Sequence, residues 1–88
     1  MTILSRTSRK FWDCYRRLPG EIQELARKNY RLWAADALHP ALHFKKITSP
    51  NWSVRIGRDF RAVGKFADDK AAFIWEWIGT HEDYDQRY

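Results

Sequence analysis

Residues 52–64 read Trp52-Ser53-Val54-Arg55-Ile56-Gly57-Arg58-Asp59-Phe60-Arg61-Ala62-Val63-Gly64, and their alternation decides the fold. On the first arm Trp52, Val54 and Ile56 point one way, while Ser53 and Arg55 point the other. On the second arm Phe60, Ala62, Gly64 and Phe66 form the apolar set, against Arg61, Val63 and Lys65. A three-residue loop, Gly57-Arg58-Asp59, pairs Ile56 with Phe60 and Val54 with Ala62, so both apolar sets share one face. A slip of one residue would turn every side chain over. This register sets Arg55 opposite Arg61 on the open face. Like charges directly opposite are destabilising, so a chain selected for stability alone would avoid the pairing. Two readings follow. The open face is either an ordinary solvated surface with Glu76 as counter-charge, or a cationic platform whose guanidinium forks match phosphate geometry.

Outward from the hairpin, segments 42–47 and 72–78 have the same β-branched and aromatic composition. Ser-Pro-Asn, Gly-Arg-Asp and Asp-Asp-Lys separate the four segments and are turn compositions. The same alternation in 72–78 puts Phe73, Trp75 and Trp77 in the core and Glu76 on the open face. The period is different towards the amino end. Residues 2–6 suit a short strand, and Thr7 or Ser8 can cap a helix bearing Phe11, Trp12, Tyr15 and Leu18 at helical spacing. Pro19-Gly20 breaks that pattern, with Pro19 placed for the first turn of a second helix. Ile22, Leu25, Ala26, Tyr30, Trp33 and Ala37 form its apolar stripe, and it runs to about Asp36. Helices first and strands afterwards predict an α+β domain over residues 1–88. A two-helix hairpin packs on one face of a small twisted antiparallel β-sheet.

The chain of 88 residues is short, but five Trp, five Phe and four Tyr supply a dense core. Cys14 is the single cysteine, which excludes an internal disulfide and fits a reducing compartment. No apolar run approaches the roughly 18 residues of a membrane span. The amino end lacks the apolar stretch of a secretory signal, so the expectation is a cytoplasmic protein. Sixteen basic against eleven acidic residues give a net charge of +5 and a pI near 9.7. The excess lies in residues 1–46, with ten basic and four acidic; residues 47–88 carry six and seven. Such a balance suits a nucleic-acid binder or a protein with an acidic partner.

Several chemical groups could gather near the cationic face. Lys45-Lys46 stands on the preceding strand, and alternation sends only one of the two to the open side. Arg58 is at the hairpin tip. The tail Gly79-Thr80-His81-Glu82-Asp83-Tyr84-Asp85 leaves the last strand with an imidazole, a phenol and three carboxylates. Cleaving RNA without a metal needs proton transfer at the 2′-hydroxyl and the leaving oxygen, and cations for the phosphorane charge. His81 can move protons near neutral pH, and Arg or Lys can stabilise the developing charge. RNA binding then falls to Lys45, Lys46, Arg55, Arg58 and Lys65. His39 and His43 read as structural or solvated, and three histidines without ligand spacing give no zinc motif. There is no Gly-rich phosphate loop and no nucleophilic Ser or Cys motif, so neither metal nor organic cofactor is expected.

Four stretches together resemble the RelE/ParE superfamily of toxins from type II toxin–antitoxin systems. They are Leu18-Pro19-Gly20-Glu21-Ile22-Gln23, His39-Pro40-Ala41-Leu42-His43-Phe44-Lys45-Lys46, the hairpin 52–64, and Trp77-Ile78-Gly79-Thr80-His81-Glu82-Asp83-Tyr84. The resemblance implies a cognate antitoxin that wraps the toxin and covers its cationic surface. RelE-like members cleave mRNA in the ribosomal A site, without metal, by 2′-hydroxyl attack. ParE-like members instead inhibit DNA gyrase. A third possibility is an inactive regulatory member that binds its antitoxin and DNA. Carried over by residue, Arg61 matches the hairpin arginine used on the phosphate, and His81 matches a catalytic histidine after the last strand. Lys45 or Lys46 matches the basic strand that contacts RNA. Tyr84 matches a terminal aromatic more loosely, with Tyr88 able to serve instead. The acidic Glu82, Asp83 and Asp85 depart from the basic tails of some nucleases.

Overall fold

Ser8 turns the chain from strand to helix, because its hydroxyl accepts the Phe11 N–H at 3.1 Å and caps the first turn. The computed structural model describes residues 4–67 and 72–88 of the chain. Strand β1 (Leu4–Thr7) leads through Ser8 into α1 (Arg9–Arg16), and α2 follows over Gly20–Ala35. Pro19 stands one position before α2, at its cap, where its missing N–H costs nothing. The sheet then builds from β2 (Lys45–Lys46), β3 (Asn51–Ile56), β4 (Phe60–Ala67) and β5 (Ala72–Thr80), and α3 (His81–Arg87) closes the chain. Residues 2 and 3 of the expected first strand, and the expected Asp68-Asp69-Lys70 turn, lie outside the described residues.

The hairpin has the register its alternation demands: Val54 faces Ala62, Arg55 faces Arg61 and Ile56 faces Phe60. Gly57 takes the turn at φ 62°, and a Cβ there would meet Leu25 Cδ2 at 2.7 Å. Both the left-handed backbone and the close approach of α2 require glycine at this corner.

Three expectations need correction, and one element was not anticipated. The sheet order is β1-β5-β4-β3-β2, and β1 runs parallel to β5, so the sheet is antiparallel only among β2 to β5. A parallel pair needs a long connection, which the intervening helices and strands provide. The expected strand 42–47 is only Lys45–Lys46. Pro40–Leu42 coil into a 3₁₀ turn, and His43 adopts the left-handed conformation at φ 47°, so His43 and Lys45 do not share a regular strand face.

Trp77 is on the other face of the sheet. Gly64 pairs with Trp75 but Val63 with Trp77, so β5 carries Glu76 as an extra residue and the alternation inverts there. Last, the tail, to which the sequence reading assigned no secondary structure, is helical. The Thr80 hydroxyl accepts the Asp83 N–H at 3.1 Å, and Glu82 and Asp83 occupy the first turn, where the helix dipole favours negative charge.

The main core lies between the α1/α2 hairpin and the sheet. Trp33 is 1% exposed and Phe73 fully buried, and they join Leu42, Val54, Ile56, Ala62, Trp75 and Ile78. Trp33 holds this cluster together, with ring centroids 5.0 Å from Trp75, 5.3 Å from Phe73 and 5.9 Å from Phe44. Each large side chain buried here contributes about 1.5–3 kcal/mol relative to exposure. On the opposite face Val63 and Trp77 are also buried, because α3 folds over them.

Candidate nucleic-acid interface

Arg55 and Arg61 stand opposite one another on β3 and β4, on the sheet face away from α1 and α2. Each fork is tied back to the hairpin end. Arg55 Nε donates to Gly57 O at 3.1 Å, and Arg61 Nη1 donates to Phe60 O at 2.8 Å. From the helix side, Asn29 Nδ2 donates to Arg55 O at 3.1 Å and steadies the same strand. Burial first, and the Arg55 charge second, push Arg61 below the usual guanidinium range; Tyr84, Asp85 and Asp59 oppose the shift. Arg61 is partly shielded from solvent and faces a like charge.

Helix α3 brings the tail residues to the same end. The His81 N–H donates to Asp59 O at 2.7 Å, pinning the helix start to the hairpin turn. Because Arg61 pairs with Gly79 across β4 and β5, His81 follows two residues beyond Arg61's partner. His81 Nδ1 lies 3.2 Å from Asp85 Oδ2, one helical turn on. The His81 and Tyr84 rings are 6.0 Å apart, and Tyr84 is 5.8 Å from Tyr88. Tyr88 in turn meets Trp77 edge-on at 5.8 Å, while Arg87 sits 5.6 Å over the same indole. Burial, followed by the nearby Glu76, pushes the Tyr88 hydroxyl above its usual range, and Arg87 works against that shift.

The other expected binders divide. Lys45 pairs with Ser53 and shares the open face, whereas Lys46 pairs with Trp52 and falls on the helix side. Only Lys45 therefore joins Arg55 and Arg61. Lys65 is on the open face but bridges to Glu76 at 3.3 Å. Arg58 is exposed in the turn. His39 has a structural role: its Nδ1 accepts the Ala41 N–H at 3.1 Å. Among the described residues no group of three His, Cys, Asp or Glu is placed to hold a metal ion. No helix among them is long and apolar enough to cross a membrane.

Sequence reasoning missed Trp77 and Arg87 as parts of this surface, and gave Tyr88 only as a substitute. A signal was available. Thr80-x-x-Asp83 is a helix-start pattern, and it places His81, Tyr84, Asp85 and Tyr88 at spacings of three and four.

A family model described as a ParE-like toxin domain matches residues 20–86. The chain belongs to the ParE-like toxin domain family. Among solved structures, this ParE-like chain is similar to the RelBE2 toxin–antitoxin complex of Mycobacterium tuberculosis. That match has TM-score 0.73 and 13% identity, covering 92% of this chain and 100% of that one. It is also similar to a mutant Escherichia coli RelE toxin in the free state, at TM-score 0.72 and 15% identity, over 97% and 90% of the two chains. The RelB–RelE antitoxin–toxin complex of Methanococcus jannaschii matches at TM-score 0.71 and 18% identity, over 98% and 100%. At these identities the shared property is the fold, a helical hairpin against a five-stranded, mostly antiparallel sheet. No curated protein sequence matches. The ParE-like segment spans α2, the sheet from β2 to β5 and α3 up to residue 86, so it contains Lys45, Arg55, Arg61, His81 and Tyr84 but not Arg87 or Tyr88.

Proposed function

We propose that this ParE-like chain is the toxin of a toxin–antitoxin pair and acts as a metal-independent endoribonuclease on mRNA in the ribosomal A site. The observation that carries the reading is Arg61. It is half-buried, faces another arginine instead of a carboxylate, and stands where α3 delivers His81 and Tyr84. A pairing that costs stability gains a purpose when a phosphate lies between the forks.

In this reading Arg61 and Arg55 hold the scissile phosphate, and Lys45 and Arg58 extend the cationic track along the RNA backbone. Lys65, partly neutralised by Glu76, contributes less. A base removes the 2′-hydroxyl proton, and the 2′-oxygen attacks phosphorus. The bond to the 5′-oxygen breaks, and that oxygen takes up a proton. The products are a 2′,3′-cyclic phosphate and a 5′-hydroxyl. His81 moves protons through Nε2, since Nδ1 faces Asp85. Tyr84 stacks on a base or relays a proton beside Arg61. The net positive charge suits an acidic antitoxin, and the antitoxin complexes solved for similar folds support such a partner.

The test is primer extension on a reporter mRNA in a purified translation system, with and without ribosomes. Wild type is expected to cut only on ribosomes. Arg61→Ala and His81→Gln are each expected to lose at least a hundredfold in rate while keeping the fold, in line with single acid–base or electrostatic groups contributing about 10²–10⁴-fold. Uncut mRNA at high toxin would overturn the proposal. The ParE-like description of the matched family favours one second reading, inhibition of DNA gyrase. Blocked supercoiling with intact mRNA would select it.

A further inference from the structure

Asp85 is badly placed if helix α3 is considered alone. The helix runs from His81 to Arg87, so Asp85 sits in its last turn, where the helix dipole disfavours a negative charge. The other carboxylates at this end of the molecule are accounted for. Glu82 and Asp83 occupy the favourable first turn of α3, and Glu76 bridges to Lys65. Asp59 belongs to the hairpin turn, and its carbonyl receives the His81 N–H. Asp85 has two functional neighbours instead. Its Oδ2 lies 3.2 Å from His81 Nδ1, and its charge reaches Arg61, where it opposes the downward pKa shift. The side chains of His81 and Asp85 are 47% and 60% exposed. A pair so open to water contributes little to stability, so stability does not account for it.

The geometry accounts for it through His81. The Thr80 cap and the bond from the His81 N–H to Asp59 O fix the backbone at the helix start, but they leave the imidazole free to turn about its side-chain bonds. Residues four apart share one helix face, so Asp85 is in position to hold the ring. A carboxylate only accepts hydrogen bonds, and a neutral imidazole carries a single N–H. The contact therefore selects the tautomer protonated at Nδ1 and leaves the Nε2 lone pair open. When Nε2 takes up a proton, the same carboxylate stabilises the imidazolium that forms. A carboxylate on the far ring nitrogen does both in triad hydrolases.

We propose that Asp85 is the positioning residue of His81, fixing its Nδ1–H tautomer and ring orientation so that Nε2 exchanges protons with the RNA. The inference rests on the nuclease reading above and adds to it the group through which His81 becomes competent. Asp85 acts on the ring and not on the substrate. Its replacement should spare stability and substrate binding while slowing turnover.

Two readouts on the full chain separate this role from a structural one. Nitrogen NMR of the His81 ring at about pH 8.5, where an ordinary imidazole is neutral, reports the tautomer without substrate. Wild type is expected to carry its proton on Nδ1. In Asp85→Ala, and in Asp85→Asn, whose amide can donate as well as accept, the proton is expected to move largely to Nε2. Steady-state cleavage of ribosome-bound reporter mRNA is the second readout. Asp85→Asn is expected to lower kcat at least tenfold, short of the roughly 10²–10⁴-fold of an acid–base group itself, with KM and thermal midpoint unchanged. Asp85→Glu, which keeps the carboxylate, is expected to restore most of the rate. Glu82→Gln removes the same charge from a different face of α3 and is expected to cut like wild type. A tautomer unchanged in Asp85→Ala and Asp85→Asn overturns the inference. So does undiminished cleavage by Asp85→Asn while His81→Gln is inactive, or an equal loss in Glu82→Gln, which would make the effect one of net charge. Full activity in His81→Gln overturns the role of His81 and this inference with it. Uncut mRNA with wild type overturns the nuclease reading itself, whatever the tautomer.

Discussion

The arginine pair on the hairpin makes a quantitative claim, that Arg55 and Arg61 repel each other in the free protein. Their Cα positions are directly paired, and Arg55 is the second cause of the downward shift at Arg61. Two unit charges about 6 Å apart repel by about 0.7 kcal/mol in water, and more where the medium is partly protein. Screening at physiological salt roughly halves the aqueous figure, so a coupling of about 0.3–1 kcal/mol is expected, the range of cross-strand pairs. Single substitutions will not isolate it. Arg55→Gln also removes the bond to Gly57 O, and Arg61→Gln the bond to Phe60 O. A double-mutant cycle cancels those losses. Wild type, both singles and the double are unfolded in urea at about 0.05 M and about 0.5 M salt, spanning Debye lengths of roughly 14 and 4 Å. Wild type should be less stable than additivity requires, and the deficit should shrink at high salt. Millimolar inorganic phosphate should stabilise wild type more than the double variant. A coupling of zero, a favourable coupling, or one indifferent to salt would refute the reasoning.

Two further predictions concern the frame that holds the pair. A Cβ at Gly64 would lie 2.4 Å from Phe73 Cε2 and 2.5 Å from Ile74 O. Phe73 is fully buried against Trp33, Phe66 and Trp75 and cannot yield, so Gly64→Ala should cost about 3 kcal/mol, the upper part of the overpacking range. At roughly 4–8 °C per kcal/mol the thermal midpoint should fall by about 12–24 °C, and a fall under about 5 °C in calorimetry would contradict the geometry. The raised Tyr88 pKa keeps the folded state protonated where the unfolded tyrosine ionises, so its contribution is constant below about pH 10 and is lost as pH rises through that value towards the folded pKa. Tyr88→Phe should remove that part of the alkaline stability loss, and the difference between the two urea-unfolding profiles from about pH 8 to 11 measures it. Identical pH slopes for both proteins would count against burial as the cause.

What was legible in the sequence follows the range of the interactions involved. The hairpin register could be read because two local facts agreed, a three-residue loop and an apolar alternation on both arms. The α1 cap at Ser8 and the α2 stripe through Trp33 were likewise local. The placement of Trp77 was not. Strict alternation carried it into the core, and nothing near it announces that Glu76 will be bulged; the inversion depends on pairing with β4, a partner distant in sequence. The parallel partner of β1 was hidden for the same reason. The start of the expected strand 42–47 failed for a more local reason, since Pro40 favours the short turn that ends in the left-handed His43. Helix α3 is the instructive omission. Its residues were read for chemistry before they were read for capping, although Thr80-x-x-Asp83 is as clear a start signal as the one at Ser8.

Residues 47–88 carry one acidic residue more than basic, which taken as a sum argues against an anion-binding face there. The sum does not describe the charge near the arginine pair. Glu76 is engaged with Lys65, and Asp85 with His81. Asp59 turns its backbone carbonyl to α3 and influences Arg61 only from a distance. Among the described residues Arg55 and Arg61 have no ion pair, and each holds its fork on a carbonyl oxygen instead. A carbonyl orients a guanidinium without neutralising it. Salt screens any carboxylate beyond about 8–10 Å, so a ligand at the hairpin meets chiefly the local field and not the segment's net charge. Two forks oriented but unneutralised, facing the same side at the hairpin end, are the arrangement a phosphate diester fits. A carboxylate side chain paired with either fork would neutralise it and remove the feature on which the proposed chemistry depends.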